Sequence, residues 1–172
     1  MDTAHPLTDP ERQFLGCLMW LSADQARRLL TGMRAADLAD PMATFVLQLA
    51  IELVADGHPP APVALFVHAV RTGRATGEHR QHRLGGWLRE TYSDVTPALA
   101  GWLKTVVLEN AWRRALTAHA QRLIQAAESS PAEIVRDLAD DTTAEELWTR
   151  YRDTLGESAG IPRLDSLRGK AA

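Results

Sequence analysis

Cysteine is nearly absent from this sequence: Cys17 is the only one among 172 residues. One thiol cannot form an intramolecular disulfide, so nothing here indicates an oxidising compartment. Cys17 lies in an apolar run with Phe14, Leu15, Leu18 and Met19. This setting predicts a buried, unreactive thiol rather than a catalytic nucleophile.

Long hydrophobic runs are missing as well. No apolar stretch approaches the roughly 20 residues that cross a bilayer. The N-terminus (MDTAHPLTDPER) has neither the basic start nor the apolar centre of a signal peptide. We therefore expect a cytoplasmic protein that has no contact with membranes.

Neither charge is in strong excess. The formal net charge is −3, with 24% charged and 45% hydrophobic residues, which is the ordinary range of a globular protein. A chain of this length can bury about 70% of the surface that it exposes when unfolded, so folding requires no metal or disulfide. Proteins that neutralise phosphates usually show a basic excess, so we expect DNA binding to be weak or absent.

A nucleotide-binding loop is absent from the sequence. No G-x-x-x-x-G-K-S/T motif occurs, and the pair Gly85-Gly86 lacks the following lysine and hydroxyl residue that would hold phosphates and magnesium. We interpret this pair as a turn before a helix. The chain is expected to have no ATPase activity of its own.

No catalytic or metal-binding constellation can be named. Two pairs of acidic residues could be read as a magnesium site: Asp140-Asp141 and Glu145-Glu146. Their position at the N-terminus of a helix explains them better, because the helix dipole favours acidic residues there. His79 and His82 lie among arginines, which makes a poor cation site. The remaining isolated histidines have no Ser, Cys or Asp partner at a readable spacing: His58, His68 and His119. We expect no enzyme activity, no cofactor and no metal.

Helix start and stop signals dominate the sequence, whereas alternating strand patterns are nearly absent. Predicted helices begin at Asp9-Pro10, Ser22 with Gln25, Asp40-Pro41, Pro62, Thr96-Pro97, Ser130 with Glu133, and Thr142 with Glu145. They end near Leu21, Gly32, Gly57, Gly73, Glu128 and Gly156. The predicted fold class is all-α.

These helices predict two parts and a tail. Residues 1–95 form a globular head of about five to six helices, and residues 96–156 form an antiparallel helical hairpin from a long helix and its return. The long helix would extend about 45 Å, more than a compact body of this size covers alone. Residues 157–172 are expected to be disordered.

Residues 72–83 (TGRATGEHRQHR) predict a polar, mobile loop, followed by a short helix after Gly85-Gly86. Its arginines, together with the one just before it, could contact an acidic partner or phosphate, or simply be solvated: Arg71, Arg74, Arg80 and Arg83.

Apolar residues occur along the whole length of the long helix, and this pattern predicts a protein interface. The candidate interface residues are Trp102, Val106, Trp112, Leu116 and Leu123. Because each helix of a two-helix hairpin can bury only one side against the other, we expect the remaining side to pack against another chain. The alternative is that the returning helix covers all of it.

The order of these motifs resembles the N-terminal domain of DnaB-type replicative helicases. Residues 11–19 (ERQFLGCLM) are similar to that domain's A-E-x-x-V-L-G-x-L-M start, with Pro10 in the place of alanine. Gly85-Gly86 resembles its G-G turn, and residues 106–114 (VVLENAWRR) resemble its I-V-x-E-x-A-x-x-R helix. A further segment matches in spacing through Asp37, Leu38, Leu47, Leu53, Gly57 and Pro59.

The resemblance covers roughly residues 8–150 and includes departures. Alanine replaces four polar or aromatic landmarks of the family at Ala39, Ala43, Ala61 and Ala64, and Leu103 beside Trp102 replaces a tyrosine. The RecA-type motor domain and its Walker loop have no counterpart in this sequence. These departures favour a divergent stand-alone relative over an excised fragment.

The resemblance implies a non-catalytic module of DNA replication that self-associates through its hairpin into a homodimer or higher oligomer. It also implies contacts with a replicative helicase, primase or loader. The alternative is an all-helical ligand-sensing or regulatory protein unrelated to replication, which would need a pocket with convergent polar groups.

Overall fold

The computed structural model describes residues 9–158 of the chain, with side chains to residue 156. This range is all-helical and contains no strand, so the predicted fold class is confirmed. Its α-helices are α1 (Pro10–Leu18), α2 (Ala23–Leu30), α3 (Pro41–Ala55), α4 (Pro62–Arg71), α5 (Glu78–Tyr92), α6 (Ala100–Ser129), α7 (Ala132–Ala139) and α8 (Thr143–Ser158). Short 3-10 turns precede α3 and α6, at Ala35–Asp37 and Pro97–Leu99. No helix in this range is both long enough and apolar enough to cross a membrane.

The first three helices begin where their capping residues predict. The Asp9 carboxylate accepts hydrogen bonds from the first backbone N–H groups of α1, and Pro10 follows it. Ser22 and Gln25 form a reciprocal capping box at the start of α2. Asp40 accepts from the Ala43 N–H at 2.7 Å and starts α3. These bonds satisfy N–H groups that have no partner inside the helix. Because the capping residue is adjacent to the helix in sequence, the start of the helix can be predicted from it.

The prediction of a loop at residues 72–83 and a turn at Gly85-Gly86 is wrong in part. Helix α5 begins at Glu78, so the second half of the segment 72–83 is helical, and Gly85-Gly86 lies inside the helix rather than before it. Leu84 and Leu88, one turn apart on either side of the glycines, are each only 2% exposed. The burial of this apolar face outweighs the low helix propensity of glycine.

The starts of α7 and α8 differ in detail from the expectation. No side chain caps α7, so the capping box predicted at Ser130 and Glu133 does not form. Helix α8 begins just after Thr142, as predicted. The carboxylate that accepts from its first turn belongs to Asp141, whose Oδ1 lies 2.9 Å from the Thr143 nitrogen.

The chain divides into two compact units between residues 107 and 108, and their described parts are residues 9–107 and 108–158. The division falls within α6, whereas the sequence predicted it before the long helix, at residue 95. In the first unit, α3 packs against α1, α2 and α4, and α5 packs against α1 and α4. The largest fully buried side chains of this core are Phe14, Leu15, Leu18, Leu47, Leu49, Leu65, Leu84 and Leu88.

Two polar side chains of α1 tie the first unit together. Glu11 is 7% exposed, and its carboxylate accepts from the backbone N–H groups of Ala39 and Asp40 at 2.8 and 3.2 Å, just before α3. Arg12 donates to the Thr91 hydroxyl and forms an ion pair with Glu90, both at 2.9 Å. Buried polar atoms are thereby supplied with partners from elements distant in sequence.

The second unit contains the later part of α6 with α7 and α8. The rings of Trp112 on α6 and Trp148 on α8 lie 4.8 Å apart, and Tyr151 lies 5.5 Å from Trp148. Asp141 accepts a hydrogen bond from Arg122 of α6 at 3.0 Å. Helix α8 and the turn before it therefore contact α6, as a hairpin requires. The tail expected from residue 157 lies outside the described residues, apart from the last two residues of α8.

Candidate protein interface

Exposed apolar side chains occur on α6 in both units. In the second unit, Leu116 is 45% and Ile124 is 62% exposed. They are slightly more than two turns apart on one helix, so they share a face. In the first unit, Trp102 of α6 is 62% exposed and Val106 is half-buried, and Leu99, in the 3-10 turn just before α6, is 46% exposed. Apolar groups this accessible are candidates for contact with another chain.

The other two candidate interface residues are less accessible. Trp112 and Leu123 are both half-buried in the structure. The Trp112 ring contacts Trp148 inside the hairpin, so part of its apolar surface is already covered. Ile124 and Leu155, which are not among the predicted interface residues, are more exposed than either. The helical pattern alone could not separate the covered side of α6 from the uncovered one.

The four arginines predicted to form a basic contact loop do not lie on one loop. Arg71 is the last residue of α4, Arg74 follows in the connecting turn, and Arg80 and Arg83 are exposed on α5. His79 and His82 are also exposed on α5. The basic groups are therefore presented mainly by a rigid helix rather than by a mobile segment.

Glu52 of α3 is the centre of a polar cluster that sequence spacing did not reveal. Its Oε2 atom lies 2.9 Å from Nε2 of His68 on α4 and 2.9 Å from Arg74, and Gln48 donates to Oε1. Burial would raise the pKa of Glu52, but the hydrogen bonds from Arg74, Gln48 and His68 outweigh it and lower the pKa to about 2. The cluster fixes α3, α4 and the turn after α4.

His119 and Asp141 form a second polar contact, inside the hairpin. Nδ1 of His119 lies 3.7 Å from Oδ2 of Asp141 and has no hydrogen-bond partner. Hydrogen bonds from Thr143 lower the pKa of Asp141, so its carboxylate stays ionised next to the imidazole. The contact joins α6 to the turn between α7 and α8, which is too distant in sequence to be read as a pair.

A largely apolar groove lies between α4 and α5 in the first unit. We define this α4/α5 groove by Val63, Phe66, Gly85, Leu88, Arg89 and Tyr92, and its volume is about 630 Å³. At one end Tyr92 stacks on Trp20 with ring centroids 4.3 Å apart. A more polar cleft of about 590 Å³ lies beside α3 and α4. The sequence did not predict either, because each depends on the packing of separate helices.

The described residues contain neither an exposed thiol nor a cluster of metal ligands. Cys17 is buried, as predicted, and burial raises the pKa of its thiol although the Thr96 carbonyl oxygen lies 3.2 Å from Sγ. Among residues 9–158, no group of three metal-ligating side chains is placed to hold a metal ion.

Comparison with known proteins indicates what the chain is similar to. No family model and no curated protein matches the chain. Among solved structures, it is similar to the crystal structure of the N-terminal domain of DnaB helicase from Mycobacterium tuberculosis, with a TM-score of 0.65 and 26% sequence identity. The match covers 78% of this chain and 96% of that chain. Together with the helix order described above, this confirms that the chain carries a domain like the N-terminal domain of DnaB helicases.

Proposed function

We propose that this chain is a non-catalytic module that self-associates through its hairpin and serves DNA replication by contacting other proteins. The link to replication rests on the similarity to a domain of DnaB helicase. The proposed partners are a second copy of the chain and, beyond it, a replicative helicase, primase or loader in the cytoplasm. No cofactor is needed, because the work is done by protein surfaces.

The observation that carries this proposal is the exposure of Leu116 and Ile124 on the hairpin. Fully burying a leucine or isoleucine side chain contributes about 1.5–3 kcal/mol. Leaving two such groups in water on one helix face forgoes that contribution, so a surface that covers them would be stabilised. A second hairpin offers such a surface, because its own α6 presents the same two side chains in a symmetric contact.

Light scattering coupled to size-exclusion chromatography tests the self-association. The wild-type chain is expected to elute as a dimer or larger oligomer. Leu116→Asp and Ile124→Asp should each weaken association by at least about tenfold, because a charge would be desolvated without a partner. The matched control is Gln125→Asp: Gln125 is exposed, and adjacent helix positions are about 100° apart, so it points away from that face.

Circular dichroism of the same samples separates loss of assembly from loss of folding. Both hairpin variants should keep the helical signal of the wild type. If they remain associated, the hairpin is not the interface and the alternative of a helical regulator that dimerises elsewhere is favoured. If they lose their helical signal, the two side chains are ordinary core and the proposal is also wrong.

A further inference from the structure

Helix α4 presents an uncharged apolar face to the solvent. Val63, Val67 and Val70 are 75%, 46% and 38% exposed, and their spacing along the helix places them on one side of it. The helix contains no aspartate, glutamate or lysine, and its only arginine is its last residue, Arg71. Single exposed valines are common on protein surfaces, but three in line without a charge between them are typical of a contact surface. We call these three valines the α4 valine stripe.

An acidic and a basic side chain border the stripe on the side of α3. Asp56 and Arg71 both line the cleft beside α3 and α4, together with Val67 of the stripe. Asp56 is the C-cap of α3, and a short turn joins it to α4, so it lies near the start of α4, whereas Arg71 lies at the end. Both side chains are exposed, and neither forms an ion pair within residues 9–158. This side of the stripe therefore has an acid at its start and a base at its end.

On the side of α5 the order of the charges is reversed. A short turn joins α4 to α5, so Glu78, the first residue of α5, lies near the end of α4. Arg89 follows about three turns later and lines the α4/α5 groove with Val63, near the start of α4. Both are exposed and have no ion pair in the described part of the chain. Each end of the stripe therefore has an acid on one side and a base on the other, and the two ends are opposite in arrangement.

We propose that the α4 valine stripe binds the same stripe of a second copy of the chain, with the two α4 helices antiparallel. A two-fold axis beside Val67 places Val63 of one copy next to Val70 of the other, so the two stripes cover each other. Removal of these side chains from water favours the contact. The helix dipoles favour the antiparallel order, because the N-terminus of each helix then lies beside the C-terminus of the other.

The charges at the border argue for a second copy rather than an unrelated protein. In the two-fold arrangement, Asp56 of one copy lies opposite Arg71 of the other, and Glu78 lies opposite Arg89. Each pair occurs twice, so every bordering charge meets an opposite charge and none meets a like one. Exposed ion pairs contribute little to affinity, but they determine which surface fits and in which register. A surface that is complementary to itself in this way is what a symmetric contact requires.

This contact adds to the proposed self-association through the hairpin and does not depend on it. The stripe belongs to the first unit, whereas Leu116 and Ile124 belong to the second. One short helix per chain provides less than a standard interface, which buries about 800 Å² per partner, so we expect the contact to be weak alone. With two separate contacts, each chain can bind two neighbours, which permits assemblies larger than a dimer.

Disulfide cross-linking of the full chain tests the inference. Cys17 is buried, so an introduced surface thiol is the only accessible one among the described residues. Under mild oxidation, Val67→Cys should yield a covalent dimer on non-reducing electrophoresis, because the two copies of this position meet at the axis. Val63→Cys is the matched control, since its two copies in an antiparallel pair are about 12 Å apart along the helix, beyond the roughly 7 Å that a disulfide spans. It should cross-link at least about tenfold more slowly.

Two further combinations test the orientation and the charges. A mixture of Val63→Cys and Val70→Cys should form dimers faster than either variant alone, since these positions are adjacent in the antiparallel pair. In the Val67→Cys chain, Asp56→Arg places like charges opposite each other and should slow cross-linking by at least about threefold. Adding Arg71→Asp exchanges the two charges and should restore the rate. Only a partner that carries the same two residues can show this rescue.

Several results would overturn the inference, once thermal melts have shown that each variant folds. If folded Val67→Cys gives no covalent dimer, the stripe does not meet a second copy. Equal cross-linking of Val63→Cys would indicate random collision or a parallel pair. An unchanged rate in Asp56→Arg, or no rescue by Arg71→Asp, would contradict the charge pairing. The cross-link should persist in a chain that carries both Val67→Cys and Leu116→Asp, and its loss there would contradict a contact separate from the hairpin.

Discussion

Replacing two glycines with alanine should change the stability of this protein in opposite directions. Both Gly16 and Gly86 lie in α-helices, where alanine is favoured over glycine by roughly 0.5–1 kcal/mol. At Gly86 nothing opposes this gain, because a Cβ atom would meet no atom within 4 Å. Gly86→Ala should therefore stabilise the chain by about 0.5–1 kcal/mol.

At Gly16 the same gain is opposed by a clash. The added Cβ atom would lie 2.5 Å from Cγ1 of Val95 and would press on the backbone carbonyl of Thr91. Overpacking of this kind usually costs about 1–3 kcal/mol, and a backbone atom yields less easily than the end of a side chain. Because the clash involves a backbone atom, the upper part of this range applies, about 2–3 kcal/mol, and after the helix gain is subtracted Gly16→Ala should destabilise the chain by about 1–2.5 kcal/mol.

Urea unfolding followed by far-UV circular dichroism measures both effects. For a chain of this size, each kcal/mol corresponds to a shift of about 2–4 °C in Tm, so a thermal melt gives an independent check. The close contact between α1 and the end of α5 would be refuted if Gly16→Ala were as stable as the wild type. A destabilised Gly86→Ala would contradict the open space that the structure shows around the second glycine.

Four further outcomes are expected. Glu11→Ala should destabilise the chain by about 2–3 kcal/mol in urea unfolding, because two backbone N–H groups lose a buried acceptor. Its control is Glu90→Ala, which breaks an exposed ion pair and should cost under about 1 kcal/mol. Because the folded pKa of Glu52 is depressed to about 2, its stabilising effect is present above the ordinary value of 4.5 and lost as pH falls towards 2. The stability difference between the wild type and Glu52→Gln should therefore shrink over this range in acid titrations. Cys17 should react with a thiol reagent only after unfolding, since its thiol is buried and its pKa is raised; rapid labelling of the native chain would contradict this. The purified chain should neither bind nor hydrolyse ATP, and turnover in a preparation free of other ATPases would contradict the missing phosphate loop.

The sequence determined the helices whose start signals are local. Asp9, Ser22 and Asp40 each cap a helix through hydrogen bonds to N–H groups two or three residues ahead, so the residues that make the signal are adjacent in sequence. The apolar run around Cys17 likewise predicted a buried segment and an unreactive thiol. The order of such segments was also sufficient to indicate the resemblance to the N-terminal domain of DnaB helicases.

Only the tertiary structure decided the features that depend on residues distant in sequence. Gly85-Gly86 has the local appearance of a turn, but the burial of Leu84 and Leu88 against neighbouring helices keeps α5 continuous. Glu52 gains its partners from α4 and the turn after it, and Glu11 finds its own just before α3.

The proposed interface on α6 shows the same division. Its helical periodicity marked apolar residues on more than one side, and the sequence grouped Trp112 with Leu116. In the structure, Trp148 lies against Trp112, while Leu116 and Ile124 stay exposed. Hydrophobic periodicity indicates which residues of a helix are apolar. Which of these residues are covered depends on where the returning helix packs, and the packing is determined by apolar burial summed over many contacts between residues distant in sequence.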